Sequence, residues 1–306
     1  MVTRTERNEE KQNEIIKEEN RELRKKIVLT TFKIILIIII ISMTFFLYTT
    51  YISSKIISVK ETRITSEKLP KSFDGLKIIQ ISDIHYGSPI FIEDIKNLIN
   101  IINRRNPDLV VFTGDLINKN YKINSSEQEK LIKQMKKIKS TIGKYAILGE
   151  EDSNTFTTIM NQSNFTILNN SYELIYKNSN TPILLIGLNS SITGAINIDQ
   201  AYKYFTKSTH NNDIFTISLL HEPDSVDNII SSYPTDIFLA GHSHNGQIAL
   251  PYIGGIIKKE GAKNYINEFY QLNNSKLYIS SGLGTNGNGI RLFCHPSINF
   301  FRLSSK

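Results

Sequence analysis

Cysteine is nearly absent from this chain: Cys294 stands alone among 306 residues. An internal disulfide is therefore excluded, as is every zinc motif built on cysteine pairs. No internal repeat is present. The glycine-rich stretch 282–289 lacks the strand–turn–helix setting of a phosphate-binding loop and is expected to be a turn. Charge is not of one sign either: 36 basic residues face 29 acidic ones, for a formal +7. Much of the basic excess lies near the N-terminus. That placement suggests a topology signal or an anionic membrane surface rather than a nucleic-acid groove, so no nucleic-acid partner is expected. Length and hydrophobic content fit one large α/β domain with an appendage.

The appendage comes first. Residues 1–26 are strongly charged, and Ile15, Ile16 and Leu23 are their only large aliphatics after Val2. A solvated helix or a disordered cytoplasmic tail is expected. Residues 27–48 are almost continuously apolar, about the length needed to cross a bilayer. No small-x-small cleavage site follows, which favours an uncleaved transmembrane helix over a signal peptide. Arg21, Arg24, Lys25 and Lys26 precede the span, and Lys55, Lys60 and Arg63 follow more sparsely. The positive-inside rule then places the protein in the cell membrane as a single-pass chain, N-terminus cytoplasmic and domain extracytoplasmic. Residues 49–72 read as a tether, with a strand around 56–64, and the globular domain is expected over 73–306.

Within that domain, short apolar runs end repeatedly in polar residues. Residues 76–81 run into Asp83 and His85. Residues 109–113 run into Gly114 and Asp115, and 145–148 into Gly149, Glu150, Glu151 and Asp152. Residues 214–220 lead to His221, and 237–240 to Gly241, His242, Ser243 and His244. Buried parallel strands read as such runs, and open α/β sheets gather ligands beyond their carboxyl ends. Asp83 and His85 would point the same way if strand geometry persists. Helical spacing is found over 92–105, 126–140, 155–162, 199–207 and 224–231, and strands of a second sheet over 167–176 and 183–188.

The strand-end residues Asp83, His85, Asp115, Glu150, His221, His242 and His244 combine four imidazoles with three carboxylates. Mixed nitrogen and oxygen donors suit Mn, Fe or Zn better than Ca or Mg. Seven donors exceed one tetrahedral zinc and fit two divalent metal ions sharing a bridging carboxylate, as in phosphoester hydrolysis. Capping alone does not select histidine at four strand ends.

Asp-x-His, Gly-Asp, Gly-x-x-Asp, His and Gly-His-x-His, in that order, resemble the calcineurin-like metallophosphoesterase superfamily. The stretch 241–251, the stretch 282–287 and Ile290-Arg291 look like its membrane-associated bacterial phosphodiesterase branch, similar to diacylglucosamine-UDP pyrophosphatase-like proteins. The resemblance covers about residues 73–303. It implies a four-layer α/β sandwich, two mixed β-sheets flanked by helices. It implies that Asp83, His85 and His244 hold one metal, that Asp115 bridges, and that His221 and His242 hold the other. The family's third motif is Gly-Asn-His-Asp or Gly-Asn-His-Glu, whereas here it is Gly149-Glu150-Glu151-Asp152. Glu150 replaces a neutral amide ligand. Glu151 replaces the catalytic histidine and could act as a general acid only if protonated. His210 and His295 fall on no family motif, and Gln247 and Arg291 are candidates to face a substrate.

The expected function is a membrane-anchored phosphoesterase acting on a membrane or cell-envelope phosphodiester, a lipid-linked one among the candidates, with Asp115 and Glu151 as the catalytic candidates. The rival expectation is a metal-binding receptor or interaction module without turnover. A cysteine added at the C-terminus should react with an impermeant maleimide on intact cells. Labelling only after lysis would refute the external orientation.

Overall fold

The computed structural model describes residues 3–49, 53, 55–87, 89–207, 213–250, 252–285 and 289–306. The chain divides into two units, Met1–Thr49 and Thr50–Lys306. The first is a single helix, α1 (Arg4–Leu47), so the charged stretch and the apolar stretch are one continuous element. A capping box starts it: Thr3 Oγ1 accepts from Glu6 N–H at 3.4 Å, and Glu6 Oε2 accepts from Thr3 N–H at 2.8 Å. The helix is long and apolar enough to cross a membrane.

The second unit holds two six-stranded mixed sheets. The first contains β1 (Ser58–Ser66), β2 (Lys77–Ile81), β3 (Leu109–Phe112), β4 (Gly143–Ala146), β5 (Thr166–Ile167) and β14 (Ser297–Ser305), in the order β1-β14-β2-β3-β4-β5. β2 to β5 run parallel, while β14 is antiparallel to β2 and parallel to β1. The second contains β6 (Ser171–Ile175), β7 (Ile183–Gly187), β8 (Thr216–Leu219), β9 (Ile237–Ala240), β12 (Phe269–Leu272) and β13 (Ser275–Ile279), in the order β12-β13-β9-β8-β7-β6. A two-stranded hairpin, β10 (Ala249–Leu250) and β11 (Gly254–Gly255), stands apart.

Alternation along the strands builds the layers. From the first sheet, Ile79, Ile81, Val110 and Phe112 face α2 (Ile92–Asn103), α3 (Ser125–Met135) and α4 (Asn154–Gln162). Their neighbours Ile78, Leu109 and Val111 turn the other way, onto Leu185, Ile217, Leu219 and Leu239 of the second sheet. Leu184, Ile186 and Phe238 then pack outward on Ala201 of α5 (Ile198–Ala201) and on Val226 and Ile229 of α7 (Val226–Ile230). Helix, sheet, sheet and helix make the expected four layers.

Four boundaries differ from expectation. The strand expected around 56–64 in the tether is β1, and it belongs to the domain, pairing along its whole length with β14. The helix expected over 126–140 ends at Met135, and Gly143 opens β4 instead of closing that helix. Residues 166–167 finish the first sheet, and only after Asn170, at φ 47°, does the chain enter the second. The stretch 199–207 is broken into α5 and α6 (Lys203–Lys207). Because β1 covers the long edge of β14, a chain begun at Phe73 should show a lower denaturation midpoint and more aggregation than one begun at Thr50. Equal midpoints would mean that β1 is dispensable.

Candidate metal centre

All seven donors expected from the sequence lie at one end of the two sheets. Asp83, His85, Asp115, His221 and His244 have no exposed surface, and Glu150 alone is partly open. Strand geometry does not carry Asp83 and His85 there. β2 ends at Ile81, and the two residues take left-handed φ of 50° and 45°; Asp115, His242 and His244 do likewise at 60°, 63° and 49°. Side chains with a Cβ pay about 1–3 kcal/mol for such a conformation, and these strained positions cluster at functional sites. The turns interlock. Asp83 N–H donates to Gly114 O at 2.9 Å, and His242 N–H donates to the Asp83 carboxylate at 3.1 Å. The motif glycines permit this closeness: a Cβ on Gly149 would overlap Asp115 Oδ1, and one on Gly241 would overlap Ser82 Oγ.

The donors fall into two groups. His244 Nε2 lies 3.2 Å from Asp83 Oδ1 and 3.2 Å from His85 Nε2. Glu150 reaches His221 Nε2 at 2.6 Å and His242 Nδ1 at 3.0 Å. Asp115 Oδ2 stands between them, 3.8 Å from His85 Nε2 and 3.3 Å from His221 Nε2. Each group can close on a cation, and Asp83 with Asp115 and His221 links them.

Outer contacts aim the imidazoles inward. A carbonyl can only accept, so His221 donates from Nδ1 to Thr113 O at 2.5 Å, and His242 from Nε2 to Glu260 O at 2.6 Å. The opposite nitrogen of each ring then faces the centre. His221 Nε2, His242 Nδ1, Asp115 Oδ2 and Glu150 Oε2 are buried there facing one another at ion-pair distance, none in hydrogen-bond geometry. Four such donor atoms converging from four strand ends fit divalent cations. Burial opposes the charged form of His221, but Asp115, Glu150 and Asp83 outweigh it and raise its pKa well above the usual value. Burial likewise opposes ionisation of Asp83, yet His244, His221 and His85 hold it ionised. A cation can take the place of those protons.

Glu151 does not stand as a free general acid. Its Oε2 accepts from His85 Nδ1 at 3.1 Å and from Lys119 N–H at 3.0 Å. Burial pushes its pKa up, but His85 and Lys119 outweigh burial and keep the carboxyl below its usual value. Its carboxylate is thus an acceptor that orients the His85 ring. Arg291 and Gln247 are also not turned to a substrate. Arg291 is fully buried, holding Gly284 O and, at 3.3 Å, Cys294 O; Gln247 Nε2 donates to Ile290 O at 3.2 Å. The turn they support donates Leu283 N–H and Gly284 N–H to Asp83 O at 3.1 and 2.7 Å. Asn286 and Gly287 of that turn, Pro251 and His210 lie outside the described residues. His295 instead meets Ser53, its Nδ1 3.3 Å from Ser53 Oγ.

One functional candidate escaped the motif reading. Lys259 Nζ donates to His242 O at 3.3 Å; burial pushes its pKa down, against the pull of Asp83, Glu150, Asp115 and Glu151. Only a pair of lysines after an apolar stretch marks it in sequence.

Asp152 secures the third motif loop. It accepts from Asp115 N–H at 2.8 Å, Gly149 N–H at 2.9 Å and Leu116 N–H at 3.0 Å. Burial and the Asp115 charge push its carboxyl up to about 7, against the pull of those donors.

A profile of the calcineurin-like phosphoesterase family matches residues 76–246. An uncharacterised metallophosphoesterase of Bacillus subtilis, YkuE, is 32% identical over 84% of this chain and 89% of its own length. The UDP-2,3-diacylglucosamine pyrophosphatase LpxG of Chlamydia muridarum is 28% identical over 77% of this chain and 86% of its own. A transmembrane protein with a metallophosphoesterase domain from Danio rerio is 26% identical over 62% of this chain and 45% of its own.

Replacing Asp152 by alanine strands three backbone donors at about 1–3 kcal/mol each. A fall of about 3 kcal/mol or more in unfolding free energy is expected by chemical denaturation. An unchanged midpoint would remove Asp152 from the scaffold.

Proposed function

Because the chain belongs to the calcineurin-like phosphoesterase family, we propose that it is a membrane-anchored, metal-dependent hydrolase of a phosphodiester in the membrane or cell envelope. The observation that carries this reading is the set of four buried donor atoms on Asp115, Glu150, His221 and His242, which face one another without hydrogen-bond geometry. Asp83, His85 and His244 would hold one divalent cation and Glu150, His221 and His242 the other, with Asp115 between them. Cations so bound supply Lewis acidity at the phosphoryl oxygens.

The chain's own residues do the rest. Glu151 fixes the ring of His85, as outer carboxylates do for ligand histidines. Glu150 brings a full negative charge where the family has an amide, strengthening cation retention while repelling a phosphate. Lys259 is placed to offset that repulsion and the charge that develops on the phosphoryl group, a task the family gives to the missing histidine. The helix Arg4–Leu47 supplies the anchor, with its basic flank cytoplasmic and the phosphoesterase domain outside. The diacylglucosamine pyrophosphatases among the relatives support a lipid-linked substrate.

The second reading is a metal-loaded receptor without turnover. It is favoured by the engagement of Glu151 with His85, which leaves the family's acid position unfilled.

The full chain, purified in detergent and loaded with Mn²⁺, should bind two ions and hydrolyse bis-p-nitrophenyl phosphate. Asp115→Asn should abolish turnover. Glu151→Ala should weaken metal binding by about 10–100-fold, and Lys259→Met should lower kcat by about 10²–10³ with metal content kept. Two ions without turnover would establish the receptor reading. No bound metal would overturn both.

A further inference from the structure

The hydrolytic reading leaves the rim of the centre unused. The hairpin β10–β11 rises directly after His244, with Ala249 opposite Gly255 and Leu250 opposite Gly254. Its base is firm. Ile256 N–H donates to Ile248 O at 3.0 Å, and Ala249 N–H donates to Leu292 O at 2.9 Å. Its returning strand leads into Lys259 and Glu260, whose contacts with His242 form one wall of the centre.

Most of the large apolar side chains around this hairpin point away from the protein. Tyr252 is completely exposed, Ile253 is 69% exposed and Ile256 48%. Leu250 and Ile257 are also exposed, and Phe293, beside the Ile248–Leu292 bridge, adds a 62% exposed ring. Isolated apolar residues on a surface are ordinary, but a contiguous group marks an interaction site. No acidic residue occurs between Gln247 and Lys259, and the exposed Lys258 follows the apolar stretch directly.

We propose that this hairpin, with Phe293, is a bilayer-contacting surface that sets the mouth of the metal centre against lipid headgroups. Three features favour lipid over a protein partner. The tip protrudes, so it enters a soft phase more readily than it matches a rigid one. Its composition is that of interfacial segments, with apolar side chains seated about 5–10 Å into the headgroup boundary and tyrosine and lysine at headgroup level. The same chain carries a helix able to span a bilayer, so a membrane is at hand. A phosphoester at headgroup depth would then reach the centre without leaving the membrane. The inference rests on the anchoring proposed above but not on metal binding or turnover.

The chain contains no tryptophan, so one introduced at an exposed site reports on that site alone. Full-length Tyr252→Trp would be reconstituted into vesicles of phosphatidylcholine and phosphatidylglycerol, with and without lipids brominated at shallow acyl positions. Tyr176→Trp, exposed elsewhere on the domain, is the control. The Tyr252→Trp emission should shift to the blue and lose most of its intensity to brominated lipid, while the control keeps both. Adding Ile253→Asp should restore the intensity while the chain still floats with vesicles. Emission matching the control would overturn the surface while leaving the anchor intact. A blue shift that grows with protein density and ignores brominated lipid would assign the face to a second copy of the chain, and also overturn it. Failure to float would overturn anchor and surface together, whatever the metal assay shows.

Discussion

Carboxylates collected in a dry interior are the constraint on which the rest of this structure depends. Asp83 and Asp115 are fully buried beside Glu150 and Glu151. Like charges without water around them repel strongly, and burying even one without a partner costs several kcal/mol. The four imidazoles offset part of that cost, and divalent cations held as proposed would offset the remainder. The sheets hold the strand ends together against the repulsion, and their helix-covered faces supply the apolar burial that makes this affordable.

The change from asparagine and histidine to two glutamates shifts the balance of the centre rather than dismantling it. Glu150 sits between two imidazoles and keeps a donor toward the cation. Glu151 lies at the back of His85, its carboxylate on Nδ1. A site with more anionic donors grips its cations harder and attracts a phosphate less, unless another cation compensates. Lys259 is the side chain placed for that, and it comes from a segment outside the family's metal motifs.

That segment joins chemistry to location. The polypeptide that leaves His244 makes the exposed hairpin and returns through Lys259 to His242. Whatever holds the hairpin therefore lies next to the mouth of the centre. Gly246 against Gly255 and the Arg291-supported turn behind Asp83 keep this part of the rim in fixed register with the donors.

By itself, the sequence determined the layers and the donor set. Apolar runs of four to seven residues ending in Asp, Glu or His announce parallel strands with a site beyond them, and each such run falls wholly or partly in a strand here. Helical spacing likewise announced α2 and α4, because side-chain periodicity is a local property. Tertiary structure decided what depends on partners distant in the chain. β1 was legible as a strand but not as part of the domain, because its partner β14 is more than two hundred residues away. Glu151 looked like a general acid because only folding brings His85 and Lys119 to its carboxylate. Arg291 and Lys259 exchanged expected importance for the same reason. Residue type and spacing set which groups are available, but their protonation and direction are fixed by the neighbours that the fold supplies.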